Sequence, residues 1–272
     1  MKFLSRFYIA LIFLILYAPI LVVILFSFNR SGSLSQFSGF SFYWYRELFR
    51  DGEALKALKN SLILAVLSSL LATVLGTLCA FAIDRSKRKW FARSVETVTN
   101  IPMMNPDIVT GVSMMLLFVG VAGLLKTTSL LGFWTMLIAH TTFNLPYVTL
   151  SVLPKLRQMD NSLSEAALDL GGTPAQTFFR VELPSILPGV LSGLMMSFTL
   201  SLDDFVISHF VSSADFRTLP LYIYNQTAHE VKFSMYALCT LIILVILALL
   251  IAVNFAGSVG QRRQRRKVGA RG

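Results

Sequence analysis

The chain has 272 residues, of which 55% are hydrophobic and 14% charged, with 22 phenylalanines and a mean hydropathy of +0.67. A soluble domain carries roughly a quarter of its residues as charges, so this composition excludes an ordinary soluble protein, and equally a disordered chain. The formal net charge of +10 would suggest nucleic acid in a soluble protein. In a membrane protein it records topology, because Lys and Arg collect on the cytoplasmic side.

A helix needs about 20 apolar residues to cross about 30 Å of hydrocarbon. Six runs qualify: 7–28, 62–83, 103–125, 130–153, 186–210 and 235–255. Six spans put both termini on one side, and 16 of the 24 Lys and Arg fall there against 8 on the other, which predicts cytoplasmic termini. The first run is longer than a signal h-region, carries Pro19 and ends in SFN without a small-residue cleavage pattern, so it is expected to be a retained span. Next comes SGSLSQFSGFSFYWYRELFRDGEALKAL, a Ser/Gly-rich stretch, an aromatic cluster including Trp44 and Tyr45, and an amphipathic helix. The aromatics suit either an interfacial belt or an outer rim lining an entry path.

The third run opens as VETVTNIPMMNPDIVTG, with Pro102 and Pro106. Two placements fit. Asn105 can cap a helix that starts at Pro106, with Asp107 near the positive end of its dipole. Alternatively, the helix starts near Phe91 and is interrupted within the membrane, leaving Asp107 at a break of the kind where transporters place binding groups. In the fourth run, His140 is either a proton relay or a group hydrogen-bonded across helices.

The connection 154–183 reads PKLRQMDNSLSEAALDLGGTPAQTFFRVEL. Ser162 and Glu165 form a predicted capping box for a helix through Leu170, stopped by Gly171 and Gly172. Thr173, Pro174 and Gln176 open a second helix, predicted to end at Pro184. Two short helices around a glycine corner make a rigid knob on the cytoplasmic face, where a partner docks.

In the fifth run, Asp203 and Asp204 interrupt an apolar stretch with no Lys or Arg nearby in sequence. An intramembrane carboxylate is costly unless it is paired or faces water. A polycationic cargo would supply the partner, and because adjacent helical residues point about 100° apart, at most one of the two faces a central path squarely. The other reading ends the helix near Leu202 with both acids at the outer interface. Ser201 is a polar neighbour, and Gly189 with Gly193 forms a GxxxG pair that permits close helix approach.

The tail QRRQRRKVGARG fits an anchor to anionic headgroups better than a nucleic-acid arm. Cys79 and Cys239 read as small buried hydrophobes, and His209 and His229 have no metal-ligand spacing, so no metal site is expected. No G-x-x-x-x-G-K-[ST] occurs, so no nucleotide cofactor is expected on this chain. No Ser/His/Asp constellation marks an enzyme. The lack of an internal repeat means that a two-sided pathway needs a second subunit.

Glu165-Ala166-Ala167, Gly171, Val181 and Leu183-Pro184 keep a long spacing that resembles the EAA coupling loop of ATP-binding-cassette importer permeases, with Val181 where that family usually has Ile. LYAPILVVILFSFN, SGFSFYWYRELF, NPDIVTGVSMMLLF and SFTLSLDDFVISHFVS resemble the spermidine/putrescine importer permeases of the PotC type. The resemblance implies an all-α polytopic membrane protein with six transmembrane helices and the type I (MetI-like) permease fold. It implies a single transmembrane domain over 1–272, acting in polyamine import across the bacterial inner membrane. Its partners would be a homologous permease, two cytoplasmic ATPase subunits that carry ATP and Mg, and a periplasmic polyamine-binding protein. Asp203, Asp204, Asp107, Ser201 and Trp44 become candidates for the substrate pathway. Glu165, Ala166, Ala167, Asp169, Gly171, Leu183 and Pro184 become candidates for coupling to the ATPase. Permeases for sulfate, iron(III) or thiamine share the loop, and a proton-coupled carrier using His140, Asp107 and Asp203 is the rival that would survive ATP depletion.

Overall fold

The computed structural model describes residues 2–33, 36–127, 130–228, 232–248 and 251. The basic tail, His229 and the predicted end of the last span at Phe255 lie outside them. The described residues are helical, with no strand and one isolated antiparallel bridge between Asn29 and Phe40. Five helices are long and apolar enough to cross a membrane: 6–27 within α1 (Lys2–Ser27), α3 (Gly52–Asp84), α5 (Asp107–Leu124), α6 (Phe133–Gln158) and the helical run Pro174–Asp203. A sixth apolar helix, here α12, is described over Phe233–Ala248. The remaining helices are α2 (Tyr43–Arg50), α4 (Lys89–Met104), α7 (Asn161–Asp169), α8 (Pro174–Thr177), α9 (Leu183–Asp203), α10 (Val206–Val211) and α11 (Leu219–Thr227).

The chain divides into two compact units, one of 1–55 with 225–272 and one of 56–224. In the first, Asn29 organises the turn after α1. Its amide donates to the carbonyls of Ser33 and Gln36, both at 2.9 Å, and its side-chain oxygen accepts from the Ser38 amide at 2.9 Å. Trp44 Nε1 donates to the Asn29 carbonyl at 2.7 Å, and the indole lies 5.4 Å from the Phe233 ring. Ser27 and Tyr45 hydroxyls meet at 2.8 Å.

The second unit is built around α6, two-thirds of whose most apolar stretch is buried. Because lipid offers no hydrogen bonds, its hydroxyls must be satisfied internally. Thr141, Thr149 and Ser151 each donate to the carbonyl one turn back, at 2.7, 2.9 and 2.8 Å. Helices pack on α6 through glycines. A Cβ on Gly76 of α3 would lie 2.8 Å from Val148, and one on Gly189 of α9 would lie 2.8 Å from the Ser151 carbonyl. Gly193 repeats this against Val148 Cα at 3.1 Å, so the GxxxG pair is a true packing face. Val148, Val152, Leu153, Leu156, Ile186 and Phe81 form the core beneath these approaches.

The third apolar run has features of both alternatives: a helix starts directly behind Pro106 with Asp107 in its first turn, and a separate helix before it reaches back past Phe91. Helix α4 carries Pro102 in its interior and ends at Asn105, in extended conformation, and α5 begins at Asp107 behind Pro106. Asn105 is therefore the C-terminal cap of α4 and not the N-cap of α5, because Pro106 offers no amide to extend α4 and forces its predecessor out of the α region. The fifth run is also not one helix to Phe210: it breaks after Asp203 and resumes as α10.

Candidate functional site

The α9–α10 break carries the paired acids and treats them differently. Asp204 is extended, with φ −63° and ψ 119°, so its carboxylate folds forward over the start of α10. There it accepts from the amides of Ile207 at 3.2 Å and Ser208 at 2.8 Å, satisfying donors that a helix start leaves open. Its Oδ2 lies 3.4 Å from His140 Nε2, and its side chain is 9% exposed. His140, 1% exposed, also contacts Ser208 Oγ through Nε2 at 3.2 Å and Ser201 Oγ through Nδ1 at 2.7 Å. Ser201 in turn meets Ser68 of α3 at 2.8 Å. The result is a buried polar chain from α3 through α9 and α6 to α10.

Asp203 is exposed, and among the described residues it makes no ion pair. Of the two carboxylates that lacked a cation in the sequence, Asp204 is thus held by two backbone amides and a histidine, and Asp203 keeps an open charge. The helix ends near Leu202 as the second alternative has it, α9 stopping at Asp203, yet only one acid is open. Ser201 is buried in the polar chain and not on an open surface. His140 has both ring nitrogens engaged, which is the cross-helix packing alternative. Asp107 is exposed at the first residue of α5. Helix α5 packs on α10, where a Cβ on Gly111 would lie 2.8 Å from Phe210. Trp44 belongs to the first unit, its indole N–H committed to Asn29.

The knob is assembled as expected at its corner and differently at its ends. Gly171 takes φ +84°, its amide bonds Leu168 O at 2.9 Å, and the Gly172 amide bonds Ala167 O at 3.1 Å. That pair of bonds is a Schellman close, which only glycine enters without strain. Thr173 and Gln176 form the predicted reciprocal cap, at 3.0 and 3.3 Å. The cap of α7 is Asp160 and not Ser162: its carboxylate accepts from the Ser162 amide at 3.0 Å. This bond and the Ser162 hydroxyl hold the Asp160 carboxyl below its ordinary value.

The second knob helix does not end at Pro184. Helix α8 passes through a π-helical turn, Phe178–Glu182, directly into α9. Leu183 N reaches back to Phe178 O, and the widened turn makes room for the Pro184 ring, which would otherwise strike the Arg180 carbonyl. Glu165, Ala166 and Asp169 are exposed on α7, and Ala167 and Leu183 are partly buried. Leu170 is 90% exposed and Phe179 64%, so the knob carries large apolar side chains on its surface. A cavity of about 270 Å³ beside the knob is lined by Phe81, Asp84, Arg85, Leu156, Met159, Ser164, Glu165 and Glu182. Sequence reasoning passed over Glu182, which is 1% exposed and paired with Arg85. Its one available signal was a carboxylate immediately before Leu183-Pro184. Among the described residues no group of three His, Cys, Asp or Glu could hold a metal.

Residues 72–267 match the family of binding-protein-dependent transport system inner membrane components, and the chain belongs to that family. It is 38% identical over 231 residues to the putrescine transport system permease protein PotI of Escherichia coli K12, covering 85% of this chain and 82% of that one. It is 38% identical over 251 residues to the spermidine/putrescine transport system permease protein PotC of Haemophilus influenzae, covering 92% and 94%. Among solved structures, a bacterial ABC transporter involved in import of the acidic polysaccharide alginate superposes with a TM-score of 0.75 at 17% identity, over 96% of this chain and 95% of that one. The methionine transporter MetNI in an inward-facing form gives 0.57 at 20% identity, over 80% and 96%. These likenesses establish the MetI-like permease fold. A transporter's inner-membrane component, not an enzyme, is what the family membership describes.

Proposed function

We propose that the whole chain is one transmembrane permease domain of an ATP-driven importer that carries putrescine, spermidine or both into the cytoplasm. Its termini are cytoplasmic, and it works with a homologous permease, two ATPase subunits and a polyamine-binding protein on the outer side. The observation that carries the cargo assignment is the α9–α10 break, which exposes the Asp203 carboxylate with no ion-pair partner among the described residues. An alkylammonium group completes that charge, and relatives that are putrescine and spermidine permeases support the class. Asp107 at the α5 break offers a second anionic station, suited to a linear cargo with spaced positive charges. Asp204 and Ser201 act behind Asp203 by fixing the break, and Trp44 contributes at the outer rim through the loop that Asn29 ties.

On the cytoplasmic side, Glu165, Ala166, Asp169 and the apolar Leu170 form the face presented to the ATPase, with Gly171 shaping the corner. ATP and Mg reside on that partner. Displacement of the knob travels along the uninterrupted 30-residue run Pro174–Asp203. At 1.5 Å per residue it spans about 45 Å. One end meets the ATPase and the other carries Asp203, so ATPase closure biases the two access states by acting on the helix that holds the cargo group.

The test is uptake of labelled putrescine and spermidine in cells lacking other polyamine importers, with the partner subunits present. ATP-dependent uptake that falls in Asp203→Asn and in Glu165→Ala is the expected result. No uptake above background from a complex that assembles and hydrolyses ATP would overturn the cargo assignment.

A further inference from the structure

Glu182 is the largest anomaly on the cytoplasmic side. A carboxylate at the end of the π turn is 1% exposed. Burying a charge is costly unless it is paired and hydrogen-bonded. Glu182 Oε1 receives both: the guanidinium of Arg85, the first residue past α3, and the Ser164 hydroxyl of α7 at 3.0 Å. Its Oε2 has no hydrogen-bond partner among the described residues. Arg85 is steered by the Phe81 ring, 5.6 Å from its guanidinium carbon, and Phe81 meets Phe178 of the π turn edge-on at 5.0 Å. Three elements distant in sequence therefore converge on one carboxylate: the end of the second span, the first knob helix and the root of the fifth span.

We propose that Glu182, with Arg85 and Ser164, is a latch that fastens the coupling knob to the cytoplasmic end of α3, so that knob motion is delivered to the second span as well as the fifth. The inference rests on the permease reading above and deepens it. Without the latch, α7 is held by its two chain connections and by its packing on α8 and the π turn. With it, α7 is cross-linked to α3 through the buried carboxylate. The latch borders the same cavity as Glu165, so a partner seated on Glu165 acts directly beside it. Glu182 is thus a positioning residue, remote from the cargo.

The test uses the complete complex in proteoliposomes, comparing Glu182→Gln, Arg85→Ala, Arg85→Lys and Ser164→Ala with wild type. Two quantities are read: cargo moved per ATP hydrolysed, and stimulation of ATP hydrolysis by the loaded binding protein. The latch predicts that Glu182→Gln and Arg85→Ala lower both by roughly tenfold, the scale of a typical coupling free energy. Basal hydrolysis and subunit stoichiometry persist, and Arg85→Lys recovers part of the loss by restoring the charge. Should either single variant fail to assemble, the double variant Arg85→Ala with Glu182→Gln decides, since it leaves no buried carboxylate without its cation. Unchanged coupling in whichever of these complexes assembles overturns the latch. If the wild type moves neither polyamine, the cargo reading falls instead, and the latch is judged on stimulation of hydrolysis alone.

Discussion

Adjacent aspartates with opposite jobs should separate cleanly under substitution. Asp204→Ala removes an acceptor for two backbone amides, at 2.8 and 3.2 Å, and strands His140 beside Ser208. Hydrogen bonds to a charged group contribute about 1.5–3 kcal/mol each, and helix caps about 1 kcal/mol. Intramembrane polar contacts measure lower, near 0.6 kcal/mol on average, because the unfolded chain in lipid finds other partners. Taking these together, Asp204→Ala should destabilise the subunit by about 2–4 kcal/mol. Asp203→Asn removes an exposed charge without an ion pair among the described residues, so its cost should stay within about 0.5 kcal/mol. Transport should invert the order of sensitivity per folded molecule, with Asp203→Asn folded but deficient in uptake. Thermal unfolding of the detergent-solubilised complex, paired with uptake normalised to folded protein, measures both. Equal stability losses in the two variants, or a fully stable Asp204→Ala, would refute the division of labour.

Three further outcomes follow from the geometry. Gly193→Leu should force α9 away from Val148, whose Cα lies 3.1 Å from a Cβ at that position. Overpacking of this kind costs about 1–3 kcal/mol, read as a lower unfolding temperature, whereas Gly120→Ala on α5, with open space around it, should be neutral. Leu170→Asp should leave folding intact, since the side chain is 90% exposed, and weaken capture of the ATPase subunits in co-purification. Asp160 holds its carboxyl below the ordinary value, so the stabilisation of α7 is complete above the unfolded carboxylate's pKa and disappears as pH falls through the lower folded value. Asp160→Asn should flatten that acid limb in hydrogen exchange of the α7 amides.

Long features of the fold were legible because lipid leaves few choices: apolar length and the demand for internal hydrogen bonding give the helices almost directly. The glycine corner at Gly171 and the Thr173–Gln176 cap were readable because each uses a local device with a fixed spacing. Ends governed by competition were not. Asp160 won the cap of α7 over Ser162, two acceptors of similar quality being separated only by where the chain leaves α6. Pro184 looked like a stop, yet a π turn accommodates it, and nothing in a residue pattern announces a five-residue hydrogen bond. His140 and Asp204 are 64 positions apart, so their meeting, and with it the difference between Asp203 and Asp204, needed the packing of α6 against α9 and α10. Glu182 and Arg85 were hidden for the same reason.

The uninterrupted run from Pro174 to Asp203 also sets a rotational phase. Each residue advances a helix by about 100°, so inserting or deleting one residue between Leu183 and Asp203 would turn the acidic end relative to the docking face by more than a quarter revolution while leaving both ends chemically intact. The π turn, which adds a residue to its own loop of the helix, is part of that angular setting. Two permeases with identical knobs and identical acids can therefore differ in what they face, and grafting a knob from one relative onto another preserves function only where the intervening helix carries the same count and the same widened turn.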